Sequence, residues 1–273
     1  AMTHCDATIH LAAPGGWDAD DPAMLRDVIE HGARNVFEVA SSLNEHRVVL
    51  VSSTAAIAAS DTPRVFDETA AFAVDNPTLA YAFAKHRAEL LAAAACTRGV
   101  PAIVVNPAEV YGPGDTALVT ARNLIDFATA VPVLVCHGGT SIVHVDDVAA
   151  GIVAALDRGR EGERYILGGE NVSVRELAAL VLELRGRRAR IVSVPNGVAR
   201  LIASVVAALR IPAPFNPHVV PYATRYWFVD SSKASRELGV RFRGARDTIQ
   251  STLEWLMHAG YLARRDAHKV SAT

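Results

Sequence analysis

RVVLVSS, residues 47–53, is a short apolar run that ends in two serines. A run this short, with no polar residue among its valines, predicts a β-strand that is buried on both faces. PAIVVN, residues 101–106, has the same character, and an alanine-rich helical pattern over residues 79–98 lies between the two. Apolar strands that alternate with helices predict an α/β fold whose parallel sheet is covered by helices on both faces.

Further elements are predicted on both sides of this unit. ATIHLAA (residues 7–13) predicts a strand, and apolar residues three, four and seven apart predict a helix over residues 22–43. Gly99 is expected to end the helix at 79–98. In the second half, the predicted elements are strands in VLVCH, SIVHV, RYILGG and ARIVSVP, a helix capped by Asp147, a capping-box helix from Ser173 to about Leu184, a helix from about Ser232 to Gly239 and a last helix over about 246–259.

Two stretches of the second half are less regular. VARLIASVVAALRI (residues 198–211) predicts a core or lid helix, with a lipid-facing or substrate-facing helix as the alternative. Residues 212–229 contain four prolines and several aromatic side chains, which predicts an irregular lid. The aromatic residues of this lid are Phe215, Tyr222, Tyr226, Trp227 and Phe228. They suit an apolar or ring-bearing carbonyl compound, a nucleotide sugar is also compatible, and simple packing of the region is the structural alternative.

The composition bears on the partners and the compartment. The 273 residues are 51% hydrophobic, which is enough for a large buried core, and the net charge of −2 gives no electrostatic reason to expect a nucleic-acid or anionic-membrane partner. No apolar run approaches the ~18–20 residues that span a bilayer. Cys5, Cys96 and Cys136 are far apart and show no metal or disulfide spacing, so a reducing, cytoplasmic setting is the simplest interpretation.

Tyr81 and Lys85 stand four residues apart in the helical pattern over 79–98, so both lie on one face of the helix. An ammonium group beside a phenol favours the phenolate, which would let Tyr81 exchange a proton with a carbonyl or alcohol oxygen. The hydroxyl-bearing residues 52–54 follow the neighbouring strand, where parallel sheets bind their ligands, and could hydrogen-bond the same oxygen. The alternative is a tyrosine packed at a helix start beside a solvated lysine, because this spacing is common by chance.

Seven segments, in their order and spacing, resemble the extended short-chain dehydrogenase/reductases, the NAD-dependent epimerase/dehydratase group. They are HLAAPGGW (10–17), VLVSSTAA (49–56), YAFAK (81–85), NPAEVYGPGD (106–115), VHVDDVAAG (143–151), RYILGGENVSVREL (164–177) and DSSKASRELGVRFR (230–243). The first and sixth segments are most similar to bacterial dihydroflavonol-reductase-like and hopanoid-associated sugar epimerase-like members. The resemblance implies a Rossmann-type doubly wound parallel sheet, a smaller C-terminal substrate-binding domain and NAD or NADP as the cofactor.

The resemblance also implies roles for single residues. Tyr81 would be the catalytic acid/base, Lys85 would lower the pKa of Tyr81 and hydrogen-bond the nicotinamide ribose, and Thr54 would polarise the substrate oxygen. The residues expected to line the cofactor are Leu11, Ala12, Ala13, Ser52, Val105, Asn106 and Pro107, together with Tyr81 and Lys85. Arg225, in the lid, is a candidate for binding a substrate phosphate.

The sequence departs from the family pattern in two places. The family begins with a strand and a G-x-x-G-x-x-G turn that holds the pyrophosphate, and this sequence contains no such turn. By analogy the sheet is expected to be N-terminally truncated, with an open apolar edge at residues 7–13 through which a homo-oligomer would form. The preference between NAD and NADP would lie in the missing part. Ile29 stands where the family usually has an asparagine.

The expected organisation is an incomplete dinucleotide-binding domain over residues 1–160 and a substrate-binding or lid region over 161–273, with some segments returning to the sheet. His144, Asp146 and Asp147 could pass for a metal cluster, but in the family this segment ties the sheet to the substrate domain, so no metal is expected. The expected function is NAD(P)-dependent oxidoreductase or epimerase chemistry on a carbonyl or secondary alcohol of a small-molecule substrate. The alternative is a non-catalytic remnant or interaction module that has lost its pyrophosphate-binding turn.

Overall fold

The apolar strands of the sequence form a four-stranded parallel sheet. The computed structural model describes residues 2–14, 21–43, 46–209 and 216–263. The strands of this sheet, in spatial order, are β1 (Ala7–His10), β2 (Arg47–Val51), β4 (Ala102–Pro107) and β8 (Arg164–Leu167). All three pairings are parallel, so the four carboxyl ends meet at one edge.

Helices cover both faces of this sheet. One face packs on α3 (Ala80–Cys96) and on a helical stretch that is α-helical over Pro22–Leu25 (α1), π-helical over Arg26–His31 and α-helical over Gly32–Ser41 (α2). The other face packs on α5 (Val145–Arg158) and α9 (Ser232–Leu238). Side chains of β2 alternate between the two cores, with Val48 and Leu50 on the first face and Val49 on the second. The predicted α/β fold with a Rossmann-type parallel sheet is therefore confirmed.

A second sheet continues from the carboxyl end of the first. Its strands are β3 (Val65–Phe66), β11 (Tyr226–Val229), β7 (Gly139–His144) and β5 (Glu109–Tyr111) in spatial order, with β9 (Glu170–Ser173) antiparallel to β7. A parallel pair is formed by β6 (Val133–Val135) and β10 (Ile191–Ser193). The remaining helices are α4 (Ala121–Thr129), α6 (Val174–Leu184), α7 (Asn196–Leu209), α8 (Val220–Ala223) and α10 (Ala245–His258), with short 3₁₀ turns at Met2–His4 and Thr54–Ala56.

Several helix ends follow the signals in the sequence. α3 ends before Gly99, whose φ of 86° lies in the region that glycine adopts without strain. α6 begins with the predicted capping box, in which the Ser173 hydroxyl accepts from the Glu176 N–H and the Glu176 carboxylate accepts from the Ser173 N–H. These helix ends were predictable because the contacts that stop a helix are local.

Two expectations are wrong, and of the alternatives for residues 198–211 the core helix is excluded. Tyr226–Val229, inside the predicted irregular lid, forms β11 and pairs with both β7 and β3. α5 is capped by His144, whose ring nitrogen accepts from the Asp146 N–H, and not by Asp147, which is buried in the first turn. α7 is not a core helix, because large aliphatic side chains along it, such as Leu201 and Leu209, are exposed.

Some predictions fall outside the described residues or stay untested. Gly15, Gly16, Phe215 and the chain from Arg264 onward lie outside the described residues. Within the described part, β1 pairs with β2 alone, so the expected open edge is present there. β8 joins the first sheet from beyond residue 160, and the division into regions 1–160 and 161–273 stays a prediction. In the portions of the chain that are described, no helix combines the length and the apolar character needed to cross a membrane.

Candidate active site

The predicted site residues gather at the carboxyl edge of the four-stranded sheet. Residues 11–13 follow β1, residues 52–54 follow β2, and residues 105–107 end β4. α3 crosses beside this edge and begins one residue before Tyr81. Because the carboxyl ends of parallel strands form one crevice, residues that lie far apart in the sequence meet here.

Tyr81 contacts Ser53, one of the three hydroxyl-bearing residues that the sequence offered for a hydrogen bond to the substrate oxygen. Ser53 caps the 3₁₀ turn at 54–56, and its Oγ accepts a hydrogen bond from the Ala55 N–H at 3.2 Å. The same hydroxyl hydrogen-bonds Tyr81, in a sense that favours the phenolate, so Ser53 O–H is the donor. Thr54 is buried at the start of the turn, and its role on the substrate oxygen stays a prediction. The available signal was that residues 52–54 all carry a hydroxyl.

The expected lowering of the pKa of Tyr81 is not what the structure shows. Burial raises the pKa of Tyr81 to about 12, and the hydrogen bond from Ser53 opposes this only in part. Lys85 Nζ lies 5.7 Å from the centroid of the Tyr81 ring and is turned towards the backbone of β2. Desolvation of the phenol outweighs the neighbouring positive charge, so Tyr81 is a protonated phenol at neutral pH.

Lys85 is buried, with 4% of its surface exposed, and its Nζ donates to the Val51 carbonyl oxygen at 2.9 Å. Burial lowers the pKa of Lys85 to about 8, while the Glu89 carboxylate opposes the decrease. Burial lowers the pKa of His10, at the end of β1, and the nearby positive charge of Lys85 lowers the pKa of His10 further. Lys85 therefore holds its positive charge at neutral pH by a narrow margin.

Two residues predicted to face the cofactor turn their side chains to Glu89 instead. Ser52 Oγ donates to Glu89 Oε1 at 2.5 Å, and Asn106 Nδ2 donates to the same oxygen at 2.6 Å. Arg164 Nη1 lies 3.4 Å from Glu89 Oε2. The Asn106 Oδ1 atom is buried and has no hydrogen-bond partner among the described residues. Sequence reasoning missed Glu89, although its spacing, four residues after Lys85, puts it on the same helix face.

Ile29 lies in the π-helical segment and is buried among apolar side chains of α2, α3 and β2. It supplies packing where the family usually has a polar group. π-Helical turns are often found at functional sites, and this one lies against α3, the helix that carries Tyr81. The structure gives no evidence of a polar contact at this position.

An aromatic wall lies beside Tyr81. Phe72, Phe83, Tyr222 and Trp227 pack in one cluster with the Tyr81 ring. Phe72 also lines a cavity of about 630 Å³ that is bounded by residues 59–62, 72–75 and Arg225. Phe72 therefore joins the aromatic cluster of Tyr81 to a cavity whose lining is mixed, with apolar side chains beside Asp61, Asp75 and Arg225.

Arg225, the predicted phosphate-binding residue, is buried and paired. Its Nη2 lies 2.7 Å from Oδ1 of the exposed Asp75, and this pairing holds the pKa of Asp75 below its usual value. A substrate phosphate would have to compete with Asp75 for the guanidinium group. Its predicted role is neither supported nor excluded by this contact.

Glu109 is a further acidic residue near the pocket that the sequence did not single out. Trp227 is paired with Thr140 across β11 and β7, and Glu109 is paired with Ile142 across β5 and β7. Because residues two apart on a strand share a face, Glu109, Thr140 and Trp227 lie on the same face of the second sheet. Burial raises the pKa of Glu109, against hydrogen bonds from Tyr111, Thr140 and Asn123.

The described residues fit the nicotinamide end of a dinucleotide. Leu11 is 58% exposed at the carboxyl edge, beside the small side chains of Ala12 and Ala13, which leaves an apolar surface for a flat ring. Of the three N–H donors of Lys85, the described contacts account for one, so two remain for ribose hydroxyls. In contrast, no cluster of metal-ligating side chains occurs in the stretches of chain that are described.

The family follows from comparison with known proteins. The model of the NAD dependent epimerase/dehydratase family matches residues 1–168. The chain belongs to this family. Membership places the Tyr81–Lys85 pair among proteins whose parallel sheet binds a nicotinamide dinucleotide, in agreement with the crevice described above.

Two curated members of the family cover nearly the whole chain. A Synechocystis sp. protein named for dihydroflavonol 4-reductase is 29% identical over 96% of this chain and 79% of its own length. A Stigmatella aurantiaca protein, 4-hydroxy-2-methyl-3-oxo-4-farnesyl-3,4-dihydroquinoline-1-oxide ketoreductase, is 31% identical over 95% of this chain and 78% of its own length. The similarity to a dihydroflavonol-reductase-like member, expected from two segments, is confirmed by these relatives.

Solved structures of the family share the fold. The crystal structure of gox2253 has a TM-score of 0.80 and 28% identity, covering 96% of this chain and 81% of that one. A dTDP-glucose 4,6-dehydratase from Streptomyces venezuelae, solved with NAD bound, has a TM-score of 0.71 and 22% identity, covering 93% of this chain and 74% of that one. The second similarity concerns the fold alone.

Proposed function

We propose that this chain is an NAD(P)-dependent oxidoreductase or epimerase that acts on a carbonyl group or a secondary alcohol, with Tyr81 as the acid/base. One observation carries the proposal. Residues 51–53, at the carboxyl end of β2, contact Lys85 and Tyr81 of α3, so a phenol, an ammonium and a hydroxyl stand together at the sheet edge. Family membership supports the same chemistry.

The protonation states favour proton donation to a carbonyl oxygen. With a pKa of about 12, Tyr81 carries its proton at neutral pH and can release it as the carbonyl oxygen gains negative charge. Ser53 donates to the Tyr81 oxygen, and the Lys85 ammonium lies on the same helix face, so both stabilise the phenolate that remains. Thr54 would donate a hydrogen bond to the substrate oxygen.

The cofactor would supply the hydride, and the chain supplies its position. Leu11, Ala12 and Ala13 would contact it beyond β1, together with the backbone at Ser52 and the end of β4 at Val105, Asn106 and Pro107. Lys85 would donate to the ribose hydroxyls. NAD and NADP both remain candidates.

The pocket beside Tyr81 favours a ring-bearing or apolar carbonyl compound. Phe72 lines it, Tyr222 and Trp227 pack in the same aromatic cluster as Phe72 and Tyr81, and aromatic faces bind flat apolar groups well. The Stigmatella aurantiaca relative is named for a ketoreductase of a farnesylated dihydroquinoline oxide, which belongs to this chemical class. Binding of a substrate phosphate by Arg225 is the second candidate, and it requires release of Asp75.

Replacing Tyr81 by phenylalanine tests the catalytic role directly. Tyr81→Phe removes the proton donor and keeps the ring, so we expect turnover of a carbonyl substrate to fall by at least about 100-fold. Binding of NADH or NADPH, followed by nucleotide fluorescence, should change little. Tyr261→Phe removes the hydroxyl of an exposed tyrosine that follows α10 and donates to the Thr116 carbonyl oxygen, and it serves as the matched control. Unchanged turnover in a folded Tyr81→Phe protein would contradict the proposal.

Two further predictions go with this function. A homo-oligomer would form through the β1 edge, which pairs with β2 alone among the described strands. No disulfide joins Cys5, Cys96 and Cys136 within the described residues, and a reducing, cytoplasmic setting stays a prediction.

A further inference from the structure

Glu89 is a buried carboxylate that the proposed chemistry leaves without a role. It lies on α3, four residues after Lys85, and 8% of its surface is exposed. A buried carboxylate is unfavourable unless hydrogen bonds replace the water it has lost. The contacts of Glu89 therefore show what the protein gains from keeping it.

Among the described residues, each partner of the two Glu89 oxygens is a group that can donate a hydrogen bond. Ser52 and Asn106 both reach Oε1, and Arg164 faces Oε2. The Asn106 amide is oriented by a second contact, because its Nδ2 also donates to the Ser53 carbonyl oxygen at 2.9 Å. A protonated carboxyl needs an acceptor for its own proton, whereas an ionised carboxylate only accepts. The arrangement thus matches the ionised form, although burial acts to raise the pKa of Glu89.

Three consecutive residues at the end of β2 are each bound by a different residue of α3. The Val51 carbonyl accepts from Lys85, the Ser52 hydroxyl donates to Glu89, and the Ser53 hydroxyl bonds Tyr81. Lys85 and Glu89 are one helical turn apart on the same face, where side chains lie about 5–6 Å apart at Cβ. Glu89 therefore belongs to the same contact between α3 and the end of β2 that holds Tyr81 and Lys85.

We infer that Glu89 is a positioning residue of the active site, whose carboxylate fixes Ser52 and Asn106 at the sheet edge and keeps the Lys85 ammonium charged while Tyr81 gives up its proton. This inference rests on the proposed function. Glu89 does not touch the reacting atoms; it acts through Lys85 and through the ends of β2 and β4.

The other titratable and charged groups near Lys85 and Glu89 lie on β1, β8 and α3. His10 on β1 faces Lys85, Arg164 on β8 faces Glu89, and Tyr81 lies on the same helix as both. Glu30 of the π-helical segment pairs with Arg87 at 3.3 Å, on the more exposed side of α3. His10 has a lowered pKa and is neutral above pH 7, so it does not mask a titration of Lys85 in the alkaline range.

The charge of Lys85 can be measured without any activity, because the chain contains three lysines, Lys85, Lys233 and Lys269. Labelling lysine with ¹³C at the ε carbon gives three signals, which Lys233→Arg and Lys269→Arg assign. In the wild type, the Lys85 signal should titrate with a midpoint near pH 8. In Glu89→Gln, which keeps the shape and removes the charge, the midpoint should fall by about one pH unit.

Glu163→Gln is the matched control. Glu163 lines the same cavity of about 660 Å³ as Glu89, but its carboxylate pairs with Lys233 at 2.6 Å. Glu163→Gln should shift the Lys233 signal and leave the Lys85 midpoint unchanged. A Lys85 midpoint that is the same in Glu89→Gln as in the wild type would overturn the inference.

Kinetics give a second readout that a purely structural role would not move. For carbonyl reduction, Glu89→Gln should shift the alkaline decrease in kcat/KM to lower pH, with kcat at pH 8 reduced roughly fivefold and KM for the carbonyl substrate nearly unchanged. Glu89→Asp keeps the charge and should restore the wild-type pH profile. A uniform loss of activity at every pH would indicate a structural role only and would contradict the inference.

The two tests separate this inference from the proposed function. If the wild type turns over no carbonyl substrate, the proposed function fails, and the titration of Lys85 still reports whether Glu89 sets its charge. If Glu89→Gln does not fold, Glu89→Asp carries the test, because a folded Glu89→Asp protein should keep the Lys85 midpoint near the wild-type value. A decrease of a full unit in Glu89→Asp would contradict the inference.

Discussion

At Tyr81, burial keeps the phenol protonated, and at Lys85 burial weakens the charge that must stabilise the phenolate. The pKa of Tyr81 is raised to about 12 and that of Lys85 is lowered to about 8, both chiefly by loss of solvent. Both changes have the same cause, since a buried group favours its neutral form. The Glu89 carboxylate opposes the change at the lysine, and the hydrogen bond from Ser53 opposes it at the tyrosine.

The pH dependence of carbonyl reduction should therefore be set by Lys85. As pH rises through about 8, Lys85 loses its proton before Tyr81 does, and the phenolate loses its stabilising charge. We expect kcat/KM to be level below that pH and to fall above it, and a pH–rate profile measured with saturating nucleotide checks this. A profile that stays level to pH 10 would show that the charge of Lys85 is not needed.

Lys85 also determines the direction in which a change of pH alters the free energy of unfolding. The pKa of Lys85 is about 8 in the folded chain and near 10.5 in a solvated lysine, so between these values the unfolded chain binds more protons. The contribution of Lys85 to the free energy of unfolding therefore rises with pH across that window.

At the level of elements, two glycines allow strands β7 and β11 of the second sheet to lie side by side. A Cβ at Gly138 would lie 2.2 Å from the Ala223 carbonyl oxygen and 2.6 Å from that of Arg225. At Gly139 it would lie 2.5 Å from the Phe228 ring. The start of β7 and the start of β11 can pair only because both side chains are absent.

Gly138→Ala should therefore push the segment that leads into β11 away from β7. We expect a loss of roughly 1–3 kcal/mol in the free energy of unfolding, seen as a lower Tm, and a higher KM for the carbonyl substrate because Trp227 moves with β11. Gly197→Ala is the matched control, since nothing lies within 4 Å of its added Cβ in α7. The control should be neutral or slightly stabilising. Equal melting temperatures for the two variants would contradict this account of the strand pairing.

The sequence was sufficient for elements whose signals are local. The apolar runs at β2 and β4 and the end of α3 at Gly99 follow from a few adjacent residues. β11 was missed because YWFV lies in a proline-containing stretch, and its identity as a strand depends on pairing with β7 and β3, which are distant in the sequence. Strand propensity is decided largely by such neighbours.

The same distinction applies to the site. The pair Tyr81 and Lys85 is visible from a spacing of four residues within one helix. Glu89 was missed, and the contact of Ser53 with Tyr81 was not foreseen, because both arise where the end of β2 packs on α3, which only the packed structure supplies. Ser52 and Asn106 were assigned to the cofactor, but their side chains are bound to Glu89, which a sequence pattern cannot show.

For the whole molecule, the two sheets together define what the site can do. The chain passes from β4 through Ala108 directly into β5, so the carboxyl edge of the first sheet, where we propose that the nucleotide binds, continues into the second sheet. Tyr81 lies between them, with Lys85 towards the first sheet and Phe72, Tyr222 and Trp227 towards the pocket. This arrangement suits transfer between a bound nucleotide on one side and a ring-bearing substrate on the other.

The central claim is that the carboxyl edge of the four-stranded sheet holds a nicotinamide dinucleotide beside Tyr81 and Lys85. Titration of the chain with NADH and NADPH, followed by nucleotide fluorescence, tests it most directly. We predict saturable binding in the micromolar range to at least one of the two, weakened in Lys85→Ala, which lacks the donor to the ribose. No binding at millimolar nucleotide would contradict the claim. Tyr81 and Lys85 would then have no bound cofactor to act with.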